Sequence, residues 1–296
     1  MSVVCRSAGQ PGDTGLPGES LPHKQIVTLT TDFGLQDHFI GVIKAVILNI
    51  NPEVVLVDIN HDICSYDVFD AAYTLVQSYR FFPSDTIHLV VVDPGVGTAR
   101  RPILARSMEH LFVAPDNGVL SLIYEREESV EVRHITADHY FLNPVSNTFH
   151  GRDIFAPVVG WLSKGVEVDK FGDPISDFAK FTPPQPKRVS DTLVKGVTLR
   201  VDKFGNITTN LTPKDVPELF SDNPPPFKII INQQEITKLN LAYSMGKPSE
   251  IFAMVGSSGY LEISTNRGSA AKALNVGRGA DVGVMFGGTD SATPQP

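Results

Sequence analysis

The chain has 296 residues, a hydrophobic fraction of 42% and a formal net charge of −8 at pH 7. No apolar run approaches the roughly 20 residues that span a bilayer, so the composition predicts a soluble globular protein without a membrane partner. The acidic balance argues against nucleic acid as a partner, because that partner requires a basic surface.

The two cysteines, Cys5 and Cys64, form neither a disulfide framework nor a C-x-x-C site, so we expect a cytoplasmic location. Residues 1–24 are rich in Gly, Pro and Ser and lack the apolar stretch of a secretory signal peptide. They are predicted to be a disordered leader, for which an organelle-targeting role stays open.

Strands and helices alternate between residues 25 and 181, which predicts an α/β domain with a mostly parallel sheet. Apolar residues spaced three and four apart predict the helices, and short β-rich runs predict the strands. The predicted helices are 39–50, 68–79 and 153–164, and the predicted strands are 26–31, 54–59, 87–92, 103–106, 111–114 and 130–135. Asp32, Asp58 and Asp93 come at strand ends and are therefore expected along one edge of the sheet.

The composition changes after residue 181. Three prolines in residues 182–192 predict an interdomain linker. Only β patterns follow, so residues 193–290 are predicted to form a small all-β barrel domain. Its predicted strands are 196–201, 207–211, 227–231, 251–255, 260–264 and 282–286.

The stretch V-V-D-P-G-V-G-T-A-R-R, residues 91–101, carries the clearest chemical pattern. Asp93 follows a buried strand, and Arg100 is close enough in sequence for a tight loop to return its guanidinium to that carboxylate. A capped turn with a surface ion pair is the alternative interpretation. His150, in N-T-F-H-G-R-D, is either a group facing Asp93 and Arg100 or a ring bonded to the backbone, and Asp153 is a helix cap or first-turn acid.

Several common motifs are absent. The sequence has no P-loop, no dinucleotide-binding fingerprint and no G-x-S-x-G elbow. Six residues could supply metal ligands, namely Asp58, His61, Asp62, Asp93, His150 and Asp153. They form no H-E-x-x-H or H-x-H pair, and an arginine beside them would repel a cation, so we expect no metal.

Six motifs occur in order between residues 31 and 263: T-D-F-G, D-P-G-V-G-T-A-R-R, P-D-N-G, T-F-H-G-R-D, D-K-F-G-N and S-S-G-Y-L-E-I. With these motifs the chain resembles, from about residue 26 to residue 286, the S-adenosylmethionine hydroxide adenosyltransferase (S-adenosylmethionine hydrolase) family, which is related to fluorinases and chlorinases. The resemblance implies an α/β amino-terminal domain and a β-barrel carboxyl-terminal domain. It also implies a homotrimer whose active sites lie between one subunit's α/β domain and a neighbour's barrel.

The resemblance assigns roles to particular residues. Asp93, Arg100 and His150 match a catalytic triad, although the adjacent Arg101 leaves the choice of arginine open. The residues matched to substrate binding are Asp32 (ribose hydroxyls), Asp37 and Asp202 (methionine amine), Phe204 and Asn206 (adenine), and Ser257, Ser258 and Glu262 (amino-acid end). S-adenosyl-L-methionine is then the substrate, and no further cofactor is expected.

The chemistry favours water over halide as the nucleophile. A sulfonium expels neutral methionine without help from an acid, so the site has to place and activate a water. An ionised Asp93 would repel a halide, and the halogenating relatives carry uncharged residues where Asp93 and Gly151 stand here. The expected reaction yields adenosine and L-methionine. The alternatives are a halide-dependent adenosyltransferase, a non-catalytic protein that binds adenosine or S-adenosylmethionine, and a metal-dependent nucleoside hydrolase.

Overall fold

A computed structural model describes residues 24–287. Most of the expected leader, and residues 288–290 of the expected barrel segment, lie outside the described residues. Within them, an amino-terminal α/β part is followed by a carboxyl-terminal β part, which confirms the predicted fold class. No helix between residues 24 and 287 is both long and apolar enough to cross a bilayer.

The amino-terminal part has seven strands in the order β2-β1-β3-β5-β4-β6-β7. Strands β2, β1, β3 and β5 are parallel neighbours, whereas β4, β6 and β7 pair antiparallel. The strands are β1 Ile26–Thr31, β2 Val55–Asn60, β3 Ile87–Val91, β4 Pro102–Arg106, β5 Leu111–Pro115, β6 Glu131–His134 and β7 Pro174–Ile175. The helices are α1 Phe39–Ile50, α2 Val68–Ser78, α3 Ser121–Arg126 and α4 Ala156–Ser163.

The sheet is covered by helices on both faces, which explains the uninterrupted apolar sequence of β3. Successive side chains of a strand point to opposite faces. Leu89 accordingly belongs to one buried cluster with residues of α1 and α4, and its neighbour Val90 to another with residues of α2 and α3. The loops that carry Asp32 and Asp93 begin at the carboxyl ends of β1 and β3.

Strand β2 is only partly buried. It is the edge strand of the sheet, and Val55 is 38% exposed. Asp58 lies inside β2 opposite Leu29 of β1 rather than at the carboxyl end, and its carboxylate faces Lys44 and His61. The prediction that Asp58 lies with Asp32 and Asp93 at one edge of the sheet is therefore wrong. Asp58 lies within its strand, whereas the other two follow the ends of theirs.

The carboxyl-terminal part is an eight-stranded sheet that nearly closes on itself. Its order is β12-β11-β15-β9-β10-β14-β13, with β8 paired to β9. The strands are β8 Lys187–Ser190, β9 Leu193–Val201, β10 Ile207–Thr209, β11 Phe227–Ile231, β12 Gln234–Ile236, β13 Ile251–Val255, β14 Leu261–Thr265 and β15 Asp281–Phe286, and the helix α5 is Ala270–Leu274. A bridge between Leu239 and Ala253 joins the chain after β12 to β13. Strand β8 falls within the segment 182–192 that was expected to be a linker.

Helix α2 connects the two parts. Asp67, the residue at its amino-terminal cap, pairs with Arg278 of the barrel. One turn further on, Arg200 Nε lies 3.2 Å from Asp70 Oδ1. These ion pairs hold the barrel against one face of the α/β part.

A histidine pair lies inside the α/β core. His88 is fully buried, with Nδ1 2.7 Å from Thr28 Oγ1 and Nε2 3.3 Å from His110 Nδ1. Burial lowers the pKa of His88 to about 3, with a smaller contribution from His110. Burial also lowers the pKa of His110.

We expect acid to destabilise the fold through this pair. Below a pH of about 6.5 the unfolded chain binds a proton that the folded core refuses, so His88 alone lowers the free energy of unfolding by about 1.4 kcal/mol per pH unit. The stability that depends on a neutral His88 is fully present above that pH and is lost progressively as the pH falls to about 3. Urea unfolding at several pH values should show a shallower pH dependence for His88→Gln than for the wild type. The exposed His139 provides the control, since His139→Gln should leave the slope unchanged, and an equal slope in all three proteins would refute the assignment.

Candidate active site

The loop after β3 folds back on itself and carries Asp93 and Arg100. Val96 N donates to the Asp93 carbonyl, and Thr98 N donates to the Gly95 carbonyl at 3.1 Å. Gly97 has a φ of +77°, and a Cβ there would collide with the carbonyl oxygen of Asn147. Glycine at this position therefore lets the loop pack against the segment that leads to His150.

Asp93, Arg100 and His150 meet at the carboxyl end of β3. Arg100 Nε donates to Asp93 Oδ1 at 2.8 Å, and Nη2 donates to Asp93 Oδ2. The same Nη2 lies 3.0 Å from His150 Nδ1. The side chains of Arg100 and Asp93 are only 8% and 5% exposed, which is inconsistent with a surface ion pair.

Arg100 keeps one unused donor. Its Nη1 is buried and has no hydrogen-bond partner among the described residues, while its guanidinium carbon lies 5.1 Å from the centre of the Phe155 ring. A buried guanidinium nitrogen without a partner is costly. An oxygen or an anion placed at Nη1 would relieve that cost.

His150 stands at the start of a π-helical turn, Gly151–Phe155, that leads into α4. Burial and the neighbouring Arg100 guanidinium lower the pKa of His150, so the ring is neutral near pH 7. Because a guanidinium can only donate, Nδ1 accepts from Arg100 and the ring proton lies on Nε2. His150 thus offers a donor on the side of the ring opposite to Arg100.

Asp153 stabilises the segment that precedes His150. Its Oδ2 accepts from Ser146 N at 2.8 Å, and Arg152 Nε donates to Oδ1 at 2.6 Å. Asp153 is a first-turn acid and not the cap residue, so one of its two expected structural roles is observed.

The neighbouring Arg101 points elsewhere. Its guanidinium donates to Asp116 Oδ2 at 2.7 Å and to Asp177 Oδ1 at 2.8 Å. Between the two arginines considered, Arg100 is therefore the one that contacts Asp93 and His150.

The six residues weighed as metal ligands do not come together at one place. Asp93 is occupied by Arg100, Asp153 by Arg152, and Asp58 by Lys44. In the part of the chain that the structure describes, no three His, Cys, Asp or Glu side chains are grouped as they would be around a metal ion. The expectation of a metal-free site remains a prediction.

Asp32 lies at the same sheet edge as the triad. It follows β1 directly, and its Oδ2 accepts from Tyr66 N at 2.8 Å. The Phe33 ring packs 6.0 Å from Phe149, the residue before His150, so the Asp32 turn is connected to the triad. Asp37 is exposed in the loop before α1.

The barrel carries a second group of expected site residues. Asp202 Oδ1 accepts from the amides of Phe204 and Asn206, both at 2.9 Å, and Oδ2 accepts from Asn206 Nδ2 at 3.0 Å. Asp202 therefore organises the turn on which the other two stand. All three line a depression of about 670 Å³ that also includes Tyr243 and Arg267.

The remaining expected residues differ in their surroundings. Glu262 is 8% exposed and accepts from Tyr243 Oη at 2.7 Å, so it holds the Tyr243 side chain that lines the barrel depression. Burial and this carboxylate raise the pKa of Tyr243 to about 12. Ser257 is exposed, whereas Ser258 is half-buried. Sequence reasoning missed Tyr243 and Arg267, since no motif marks either residue.

The expected site residues thus form two groups. Asp93, Arg100, His150 and Asp32 belong to the α/β part, and none of them lines the depression formed by Asp202, Phe204 and Asn206. A ligand that contacts both groups therefore has to bind outside this depression as well as within it.

Two family descriptions match the chain. Residues 27–172 match the SAM hydroxide adenosyltransferase N-terminal domain, and residues 196–283 match the C-terminal domain of the same name. Similarity to a solved structure agrees with this. A crystal structure of an uncharacterized conserved protein from Thermotoga maritima aligns with a TM-score of 0.81 at 35% identity, covering 88% of this chain and 100% of that one.

The similar proteins are named either as hydrolases or as fluorinases. The chain is 32% identical over 269 residues to an (R)-S-adenosyl-L-methionine hydrolase of Thermus thermophilus, with 88% of this chain and 99% of the relative covered. A protein of the same name from Methanocaldococcus jannaschii is 30% identical over 274 residues, covering 88% and 96%. A fluorinase of an Actinoplanes species is 25% identical over 288 residues, covering 88% and 97%.

Proposed function

The chain belongs to the SAM hydroxide adenosyltransferase family, and we propose that it hydrolyses S-adenosyl-L-methionine to adenosine and L-methionine. The observation that carries this proposal is the cluster of Asp93, Arg100 and His150, in which a buried Arg100 nitrogen has no hydrogen-bond partner among residues 24–287. This cluster provides donors and an acceptor around one small oxygen ligand.

The reaction is an in-line displacement at the ribose C5′ carbon. The water oxygen forms a bond to C5′ while the C5′–sulfur bond breaks. The sulfur retains the bonding electrons and leaves as the neutral thioether of methionine, so no acid is needed. The water loses one proton, and the site has to accept or relay it.

The cluster suits a water in this position. Arg100 Nη1 and the Nε2–H of His150 can donate to the water oxygen, and the free lone pairs of Asp93 can accept one of its protons. A buried positive charge favours the developing hydroxide. We assign Arg100 to charge stabilisation, His150 to holding the water and Asp93 to taking up its proton.

A halide fits the same place poorly. A halide offers no proton to Asp93, and the ionised carboxylate beside it is repulsive at short range. The family nevertheless includes fluorinases, so halide-dependent transfer is the second candidate to be tested.

We further propose that substrate binds between two copies of the chain in a homotrimer. Exposed apolar side chains adjoin both groups of site residues: Leu35 and Tyr66 near Asp32, at 72% and 73% exposed, and Phe204 in the barrel depression, at 66%. Two different surfaces that meet head to tail form a closed ring when the rotation between neighbouring copies closes. On this proposal, the family resemblance sets the number of subunits at three.

We also propose a cytoplasmic location, since Cys64 forms no disulfide with any of the described residues and a reducing compartment keeps thiols free.

Product analysis in ¹⁸O-labelled water tests the function. Mass spectrometry should find adenosine labelled at the 5′-hydroxyl together with unlabelled methionine, and neither a chelator nor added chloride or fluoride should change the products. A 5′-halogenated nucleoside would favour the halide reaction, and loss of turnover with the chelator would favour a metal-dependent hydrolase. Binding without any product would favour a non-catalytic protein.

The pH profile tests the state of His150. Burial and Arg100 lower the pKa of His150, so the neutral ring persists below the usual value of about 6.5. We expect kcat/KM to stay level from neutral pH to below that value and to fall only in more acidic solution, where a second cation would form beside Arg100. His150→Gln should lose this acid limb, and a limb centred above about 6.5 would contradict a lowered pKa.

A further inference from the structure

Strand β1 carries two buried threonine–histidine pairs. Thr28 Oγ1 lies 2.7 Å from His88 Nδ1, and Thr31 Oγ1 lies 2.9 Å from His61 Nδ1. Both threonines are fully buried. The first pair ends inside the core, whereas the second continues to the surface.

The second pair extends through two charged groups. His61 Nε2 lies 3.0 Å from Asp58 Oδ1, and Lys44 Nζ lies 2.6 Å from Asp58 Oδ2. Burial raises the pKa of Asp58, but contacts from Lys44 and His61 outweigh burial and hold the pKa below its usual value. We call Thr31, His61, Asp58 and Lys44 the Thr31 relay.

The Thr31 hydroxyl has two partners. His61 Nδ1 lies 2.9 Å from its oxygen, and the Phe33 amide donates to the same oxygen at 3.3 Å. A hydroxyl has one donor and two acceptor positions, so it can make both contacts at once.

The relay reaches the turn that carries Asp32. Thr31 precedes Asp32 in the chain, and its oxygen holds the Phe33 amide. Gly34 N donates to the His61 carbonyl at 2.8 Å, and Tyr66 N donates to Asp32 Oδ2 at 2.8 Å. The segment from His61 to Tyr66 therefore fixes both the Asp32 turn and the Asp32 carboxylate.

We propose that the Thr31 relay positions the Asp32 carboxylate for the ribose hydroxyls and thereby determines how strongly the enzyme prefers a ribose. The inference rests on the proposed function, in which Asp32 binds those hydroxyls. Hydrogen bonds to a substrate are sensitive to small displacements. Loss of the Thr31 hydroxyl removes the partner of His61 and the acceptor of the Phe33 amide, so the turn that holds Asp32 can shift.

The test compares kcat/KM for S-adenosyl-L-methionine with kcat/KM for its 2′,3′-dideoxy analogue. Their ratio is independent of the folded fraction, because both substrates meet the same molecules, so a merely structural defect does not change it. We expect the wild-type ratio to be about 10² or more, since a site built to bind hydroxyls discriminates strongly against their absence. Thr31→Val should lower the ratio about 10-fold, as expected for a weakened hydrogen bond to a charged group.

The chain supplies a matched control for this variant. Thr28→Val removes a fully buried hydroxyl from the same strand, also bonded to a histidine, but at a position away from Asp32. It should leave the ratio unchanged even if it lowers the melting temperature. Thr31→Ser restores the hydroxyl and should restore the ratio. His61→Gln provides a second way to break the relay if Thr31→Val folds poorly, and should also lower the ratio.

The outcomes separate this inference from the proposed function. If the wild type produces no adenosine and methionine, the function is wrong. If Asp32→Asn leaves the ratio unchanged, Asp32 does not bind the ribose hydroxyls and the inference fails with it. If Asp32→Asn lowers the ratio but Thr31→Val and His61→Gln do not, the function stands and the relay has no positioning role. Equal loss in Thr28→Val and Thr31→Val would likewise overturn it.

Discussion

Asp93→Asn is expected to lower kcat about 10²- to 10⁴-fold, which is the usual size of an acid–base contribution. KM for S-adenosyl-L-methionine should change little, because Asp93 is assigned to the water and not to the substrate. The substitution keeps the shape of the side chain but removes its negative charge. Both the acceptor for the water proton and the partner of Arg100 are thereby weakened, and His150→Ala should fall in the same range.

Asp116→Asn is the matched control. Asp116 is also 5% exposed and also pairs with an arginine, Arg101, but it lies outside the triad. Its loss should affect the melting temperature as much as the loss of Asp93, yet leave kcat within a few-fold of wild type. If Asp93→Asn retained wild-type turnover, or if both variants lost activity equally, the triad would have to be reassigned.

Co-expression of two inactive variants is expected to restore activity. One variant is Asp93→Asn, with an intact barrel, and the other is the double variant Phe204→Ala, Asn206→Ala, with an intact triad. On this proposal, each site combines the triad of one subunit with the barrel of the next. When the two variants mix randomly in equal amounts, about a quarter of the sites contain both an intact triad and an intact barrel. Activity should therefore rise to about a quarter of wild type, well above either parent, in a kinetic assay of the whole oligomer mixture purified through one tag that both variants carry.

The control for this mixing experiment pairs Asp93→Asn with His150→Ala. Both changes lie in the α/β part, so no combination of subunits contains an intact triad, and activity should stay at the parental level. Recovery in this control, or none in the first pair, would show that the two groups of residues do not meet across subunits. Size-exclusion chromatography with light scattering gives the number of subunits directly.

Much of the fold could be predicted from local patterns. The apolar spacing of α1 and the uninterrupted apolar run of β3 indicate their type and bounds, because each buries a continuous face or both faces in the core. Short elements were missed. Helix α3, strand β12 and helix α5 have six, three and five residues, which is too few for a periodicity to mark them.

The sequence by itself determined the order of strands and helices, the two-part organisation and the family, because six ordered motifs and the hydrophobic periods are properties of contiguous residues. Only the tertiary structure decided which arginine joins Asp93, that Asp58 faces Lys44 and His61 inside an edge strand, and that Thr31 bonds to His61. These outcomes depend on the direction in which each side chain leaves its strand or loop, and on what distant segment lies opposite. Adjacent residues such as Arg100 and Arg101 diverge for that reason: one guanidinium turns toward the buried triad and the other toward Asp116 and Asp177.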